Sequence, residues 1–247
     1  MSEALPGRAL SGRARTHRGG RGAATGAAPA PAPRPLEVRW LGVVPYAMAL
    51  KLQAELVQRR RDGEIPDQLL LLEHPHVITL GTSAREAHVL IGEDERRWLG
   101  IDVFETGRGG DVTYHGPGQL VGYPILDLKP DRRDLHRYIR DIEEALIRAL
   151  ADFGVDAGRI EGLTGVWVGD EKIAAIGVRV SSGWITSHGF ALNVTTDLGF
   201  FDSIVPCGIR DRGVTSLERV TGRSFGVDEV GDRVAERFAE VFGRRMS

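Results

Sequence analysis

Three features of this chain are of the residue type and spacing that could do chemistry: its single cysteine, a lysine opening an apolar strand, and a glycine-rich polar run. Cys207 stands in Val205-Pro206-Cys207-Gly208-Ile209. Proline restricts the approach and glycine removes side-chain bulk, so the thiol is expected in a turn that a substrate carbonyl could reach. A lone thiol is either a nucleophile or a small buried hydrophobe, and this pentapeptide does not choose between them. Lys172 shares strand parity with Ala174, Ile176, Val178 and Val180, which turns it toward their apolar face unless its place at the strand start lets it reach water. Desolvation favours the neutral amine, which could take the proton of a thiol that is only a few per cent ionised at pH 7. Spacing alone does not bring the two residues together.

The third feature is Arg108-Gly109-Gly110-Asp111-Val112-Thr113-Tyr114-His115-Gly116-Pro117-Gly118-Gln119. Its glycines let backbone approach a ligand closely, and Arg108, Thr113, Tyr114 and His115 supply polar and amphipathic contacts. It is not a dinucleotide fingerprint, because the glycine spacing differs and a strand rather than a helix follows. His115 is a possible metal ligand, as are His74 and His76, which share a face at strand spacing. No cysteine or acidic cluster completes such a site, so no metal is expected.

These residues must be positioned by a mixed set of elements. Met48, Ala49, Leu52 and Leu56 have helical spacing after Pro45, and Leu69 to Leu72 suits a buried strand. Val112 and Tyr114 alternate before a Gly-Pro-Gly turn, and residues 120–128 read as another strand. Leu135, Tyr138, Ile139, Ile142, Leu146, Ala149, Leu150 and Phe153 form one helical stripe that Gly154 ends. Strands are expected at 165–168, 172–180, 184–187 and 190–194. A last helix carries Val227, Val230, Val234, Phe238 and Val241. Unequal clusters of strands and helices, without regular βαβ alternation, indicate an α+β fold.

Composition bounds the setting. The 247 residues suffice for a sizeable core, and no apolar run approaches the roughly 20 residues of a bilayer span. One cysteine and the lack of a secretory segment fit a reducing compartment, so a cytoplasmic protein is expected. Residues 1–35 are rich in Arg, Ala, Pro and Gly and carry a net charge of +5, against −7 for residues 36–247. The first segment is expected to be a disordered tail and the remainder a single catalytic domain. An organelle transit peptide would share the tail's charge but calls for an amphipathic helix that is not evident. An acidic body argues against nucleic-acid binding. Arg59-Arg60-Arg61 and Arg132-Arg133, with Arg137 and Arg140, remain as local patches: solvated faces, or a dock for an acidic partner.

Taken together, Arg108 to Gln119 with Leu120-Val121-Gly122-Tyr123-Pro124 closely resembles the signature of lipoyl(octanoyl) transferases. So do Lys172-Ile173-Ala174-Ala175-Ile176-Gly177, His188-Gly189-Phe190-Ala191-Leu192-Asn193-Val194, and Pro206-Cys207-Gly208 with Val214-Thr215-Ser216-Leu217. The four blocks occur in the family's order over most of residues 36–220.

The resemblance implies a biotin/lipoate protein ligase-like fold, a mixed sheet flanked by helices. It implies transfer of octanoyl from octanoyl-acyl carrier protein to the lysine of a lipoyl domain, without cofactor or ATP. The acceptors would be lipoyl domains of 2-oxoacid dehydrogenase complexes and the glycine cleavage H protein. Cys207 would be the nucleophile and Lys172 its base, with Arg108–His115, Ala175, Ile176, Gly177, Gly189, Phe190 and Ala191 lining the acyl site. Two other classes remain open: an ATP-dependent ligase, which needs no cysteine at 207, and a non-catalytic carrier-binding protein, which needs neither residue.

Overall fold

Leu69 to Leu72 show how the fold is organised. In the computed structural model, which describes residues 32–205 and 212–247, Leu69 and Leu71 pack into one core cluster and Leu70 and Leu72 into another. A strand buried on both faces needs an apolar residue at every position, and this run supplies it.

That strand, β2 (Asp67–Glu73), lies inside an eight-stranded sheet. From one edge the order is β11 (Arg244–Met246), β1 (Arg34–Val43), β2, β6 (Gln119–Ile125), β10 (Thr186–Asn193), β9 (Glu171–Val180), β8 (Leu163–Val168) and β7 (Gly158–Ile160). The first three strands are mutually parallel and the rest pair antiparallel, so the sheet is mixed. A smaller sheet sets β3 (Val77–Leu80) between β4 (Asp102–Glu105) and β5 (Val112–His115).

Helices cover both faces of the large sheet. α3 (Leu135–Asp152) and α5 (Val227–Phe242) bring Ile142, Leu146, Val234 and Phe238 onto Leu71, Leu120 and Leu192. α1 (Tyr46–Arg61) lays Ala49 and Leu56 on Leu70, Val121 and Ala191. The Asp134 side chain caps α3 by accepting from Arg137 N at 3.1 Å, and Gly154, with φ of 79°, follows its end. Gly154 matches the stop signal in the sequence, and Asp134 adds a side-chain cap at the start. Two short helices, α2 (Glu93–Leu99) and α4 (Leu217–Thr221), complete the α+β architecture. Among the described residues, no helix is long and apolar enough to cross a membrane.

Several expectations need correction. Met48 is exposed, and Tyr46 and Gln53 take buried places on α1 instead. The strands expected at 184–187 and 190–194 are one strand, β10, which stays paired to β9 through His188↔Val178 and Gly189↔Gly177. The apolar alternation breaks at His188-Gly189, but backbone ladder bonds do not depend on side-chain pattern. Trp184 belongs to the preceding turn, with φ of 61°. β1 begins at Arg34, two residues before the expected edge of the tail, and pairs Arg34 with Arg244 and Pro35 with Arg245.

Candidate active site

The glycine-rich run arches from β4 to β5 over the β9/β10 pair. Gly109 N donates to Val178 O at 2.9 Å, Thr82 N to Arg108 O at 3.0 Å and Ser83 N to Gly110 O at 3.0 Å. The approach leaves no room for side chains. A Cβ on Gly81 would stand 2.2 Å from Gly110 O, and one on Gly177 2.9 Å from Gly109 O. Beneath this arch lies a cavity partly open to solvent. Its walls come from Arg108, Gly110–Thr113 and His115, from Ala175–Gly177 of β9, and from Gly189–Ala191 of β10.

Three separate stretches of sequence thus meet at one cavity, with two exceptions. Gly109 borders a neighbouring groove instead. Tyr114 points away: β5 alternates, so when His115 faces the cavity Tyr114 turns into the small sheet's core. There its ring stacks on Phe200 at 5.3 Å between centroids, and its hydroxyl bonds His76 Nδ1 at 2.7 Å. Tyr114, expected with its neighbours at the acyl site, therefore does not line this cavity.

Tyr46 and Tyr123 line the cavity and were not among the expected site residues, since an aromatic at a helix start or in an apolar strand reads as core, although Tyr123 lies in a motif block. His188 also lines it, with a left-handed φ of 56° that is unusual for a non-glycine residue. Behind the wall, His74 Nδ1 donates to Val44 O at 2.6 Å, so its Nε2 accepts from the Tyr123 hydroxyl at 2.8 Å. His74 and His76 precede β3 in a loop and join different clusters, so they do not share a face.

Burial keeps the ring groups of this cavity neutral, beside the Arg108 and Asp111 side chains that also line it. It lowers His115 to about 3, with His74 adding to the effect, and lowers His188 to about 4, helped by Arg108 and Arg179. His74 also falls to about 4, through burial, and Tyr46 rises to about 12 for the same reason. The histidines are neutral near pH 7 and too weakly basic to serve as efficient proton acceptors there. Arg108 is mostly committed to the wall: Nη2 donates to Thr79 O at 2.7 Å and to Thr79 Oγ1 at 2.9 Å, and Nε to Thr79 Oγ1 at 3.2 Å. Apolar strand residues and neutral rings suit an alkyl chain, at roughly 0.8 kcal/mol per buried methylene.

Lys172 borders an adjoining groove, which shares Gly110, Asp111, Ile176 and Gly177 with the cavity. Only 8% of Lys172 is exposed, and Nζ lies 4.7 Å from the centre of the Trp167 ring. Gly165 admits its stem, since a Cβ there would lie 3.3 Å from Lys172 Cε. Strand parity is kept only in part along β9. Trp167 pairs with Lys172 and Val166 with Ala174, so Ile173 is an extra residue and both Ile173 and Ala174 enter the core.

Cys207 lies outside the described residues. The chain on either side of it is described. Val205 N donates to His88 O at 2.8 Å, and His88 Nδ1 meets Asp111 Oδ2 at 2.7 Å in the cavity wall. Downstream, Lys172 N donates to Gly213 O and Thr215 N to Lys172 O, each at 3.0 Å.

The basic runs are mostly not free for a partner. Arg60 pairs with Asp67 at 2.7 Å, Arg132 with Asp141, Arg140 with Glu143 at 2.7 Å, and Arg59 with Glu64 at 3.4 Å. Arg133 lies over the Trp184 ring at 5.5 Å, and among the described residues neither it nor Arg61 forms an ion pair.

Residues 45–239 match the family described as lipoyl protein ligase A/B catalytic domain. An octanoyltransferase of Rubrobacter xylanophilus is 60% identical over 210 residues, covering 84% of this chain and 94% of that protein. One from Solibacter usitatus is 54% identical over 209 residues, covering 85% and 94%. Among solved structures, lipoate-protein ligase A bound with ATP superposes with a TM-score of 0.67 at 22% identity, covering 85% of this chain and 89% of that one, a likeness of fold. With a shared fold, a matching catalytic-domain signature and identities this high, the chain belongs to the octanoyltransferase branch of the lipoyl protein ligase A/B catalytic-domain family, a family of acyl-transferring enzymes.

Proposed function

We propose that this enzyme takes an octanoyl group from octanoyl-acyl carrier protein, holds it as a thioester on Cys207, and passes it to the lysine of a lipoyl domain without ATP. The observation that carries this reading is the adjacency of a cavity lined by apolar strand residues and neutral rings to the groove that Lys172 borders. The bonds from Val205 to His88 and from Gly213 and Thr215 to Lys172 support it further.

The chemistry balances without an external energy source. The Cys207 thiolate attacks the donor carbonyl, having given its proton to the Lys172 amine. The oxyanion collapses and expels the carrier thiolate, which takes that proton from Lys172. In the second half, the acceptor amine attacks the new thioester, Cys207 leaves as thiolate, and Lys172 accepts the proton shed by the amine. Thioester replaces thioester in the first step, and the amide formed in the second makes the sequence favourable.

Intact mass of the protein mixed with octanoyl-carrier thioester, without ATP, tests the scheme. A single octanoyl adduct mapped to Cys207 is expected, absent in Cys207→Ala. Lys172→Ala should still form it, slowly, and Lys172→Arg should not restore the rate, since arginine cannot act as a base near neutral pH. An adduct mapped to Lys172 in Cys207→Ala would make the lysine the nucleophile, and an absolute ATP requirement would favour the ligase reading.

A further inference from the structure

A line of buried hydrogen bonds runs from the acyl cavity to the Lys172 strand through two amide side chains the mechanism does not use. His115 Nδ1 meets Gln119 Oε1 at 2.8 Å, Gln119 Nε2 meets Asn193 Oδ1 at 2.9 Å, and Asn193 Nδ2 meets Thr215 O at 2.9 Å. The Thr215 amide then donates to Lys172 O at 3.0 Å. The polarity of the whole line follows from its fixed ends. Thr215 O can only accept, so Asn193 must present Nδ2 to it and Oδ1 to Gln119. Gln119 must then present Nε2, which also reaches Tyr114 O at 3.2 Å, and turn Oε1 to His115. That requires His115 to carry its proton on Nδ1. Every donor therefore points from the cavity toward Lys172.

Solvent has little access to these groups. Gln119 and Thr215 are 1% exposed, Asn193 4% and His115 7%. In such a setting an unmade bond leaves a buried polar atom orphaned, so a break at one link is felt at its neighbours. The line crosses three strands, β5, β6 and β10, before it reaches the segment that pairs with β9 at the Val214↔Lys172 bridge.

We infer that Gln119 and Asn193 are positioning residues, a directional amide relay that holds residues 213–215 and the Lys172 backbone in register with the acyl cavity wall. Its catalytic consequence rests on the proposed roles of Cys207 and Lys172; its structural content does not.

Two readouts separate these parts. Backbone hydrogen exchange reads the relay itself. Gln119→Met removes a link two steps from Thr215, and should speed exchange of the Thr215 amide by about tenfold or more, while the Thr186 amide, outside the relay, keeps its protection. Single-turnover acylation at saturating octanoyl-carrier thioester reads the consequence. Gln119→Met and Asn193→Leu should each slow it by roughly 10- to 100-fold, with the half-saturating donor concentration within about threefold, and the double variant should be no slower than the worse single. Thr186→Val serves as control. Thr186 is fully buried and bonded to Pro124 O and Leu126 N, so its loss should lower the melting temperature without slowing acylation comparably. Unchanged Thr215 exchange, additive rate losses, or losses that track melting temperature as in Thr186→Val would overturn the relay. A wild type that forms no adduct on Cys207 would instead overturn the proposed function, with the exchange result still deciding the relay. Should neither variant fold, nitrogen NMR of wild-type His115 decides: a proton on Nδ1 is expected, and a proton on Nε2 contradicts the polarity of the line.

Discussion

Asp111 and His88 are joined by a 2.7 Å contact between Oδ2 and Nδ1 that links the glycine-rich arch to the strand-like segment ahead of Pro206. The other carboxylate oxygen accepts from Val112 N at 2.8 Å, and His88 O accepts from Val205 N at 2.8 Å. One carboxylate thereby fixes the local turn of the arch and, through a single imidazole, the approach to Cys207.

Breaking that link should loosen the cavity mouth. Asp111→Ala and His88→Phe are each expected to destabilise the fold by about 1–3 kcal/mol, the range for a lost charge-assisted bond. Each should also raise the donor concentration needed for half-maximal acylation. Chemical denaturation alongside donor titration checks this, and wild-type behaviour in both assays for both variants would show that the link is ornamental.

Gly122 lies directly under the ring of Phe190, a residue of the cavity wall. A Cβ on Gly122 would stand 2.1 Å from Phe190 Cζ, and Phe190 is part of the cavity lining. Gly122→Ala must displace the ring, at a cost of about 1–3 kcal/mol for overpacking, and a ring driven into the cavity narrows the space an acyl chain would fill. Competition between hexanoyl and octanoyl thioesters should shift toward the shorter chain. Adding Phe190→Leu, which vacates that space, should reverse the shift; a preference that stays on octanoyl in Gly122→Ala would exclude this wall as a chain-length determinant.

Acid should destabilise the protein steeply. His74, His115 and His188 are held at about 4, 3 and 4, below the roughly 6.5 of an unfolded histidine. The unfolded chain therefore binds more protons between the folded and unfolded values, and stability is lost as pH falls through that window. Above about pH 6.5 the three contribute no slope. Below it, each can remove about 1.4 kcal/mol per pH unit. Urea unfolding at closely spaced pH values from 7.5 to 4.5 measures the slope. His74→Gln should flatten it, and an unchanged slope in that variant would move the effect to other groups.

The arginines divide into internal ties and free surface. Arg244 Nε meets Asp67 Oδ2 at 2.8 Å with both side chains buried, and Arg60 reaches the same carboxylate at 2.7 Å. Arg244→Ala should cost about 3–5 kcal/mol, because it leaves part of a buried charge uncompensated. Arg61→Glu and Arg133→Glu should fold normally. If an acidic carrier docks beside them, they should raise its KM chiefly at low salt, where screening is weak. Carrier kinetics indifferent to both reversals at all salt concentrations would place docking elsewhere.

What the sequence determined by itself is local. Leu69 to Leu72 had to be a strand covered on both faces, the α3 stripe between Asp134 and Gly154 had to be a helix, and the glycines of residues 109–118 had to lie where backbone passes close to something. Each follows from side-chain period or from steric freedom at one position. The motif blocks likewise named the family, because residue types at fixed spacing are themselves linear information. Tertiary structure alone decided which residues face one another across the fold. It turned Tyr114 away while admitting Tyr46 and Tyr123, since a cavity wall is assembled from faces of elements that lie far apart in the sequence. It slipped the parity of β9 by one residue at Ile173, a bulge that no alternation records. It also committed Arg60, Arg132 and Arg140 to internal carboxylates, because a charge run in sequence says nothing of the partner that folding brings beside it.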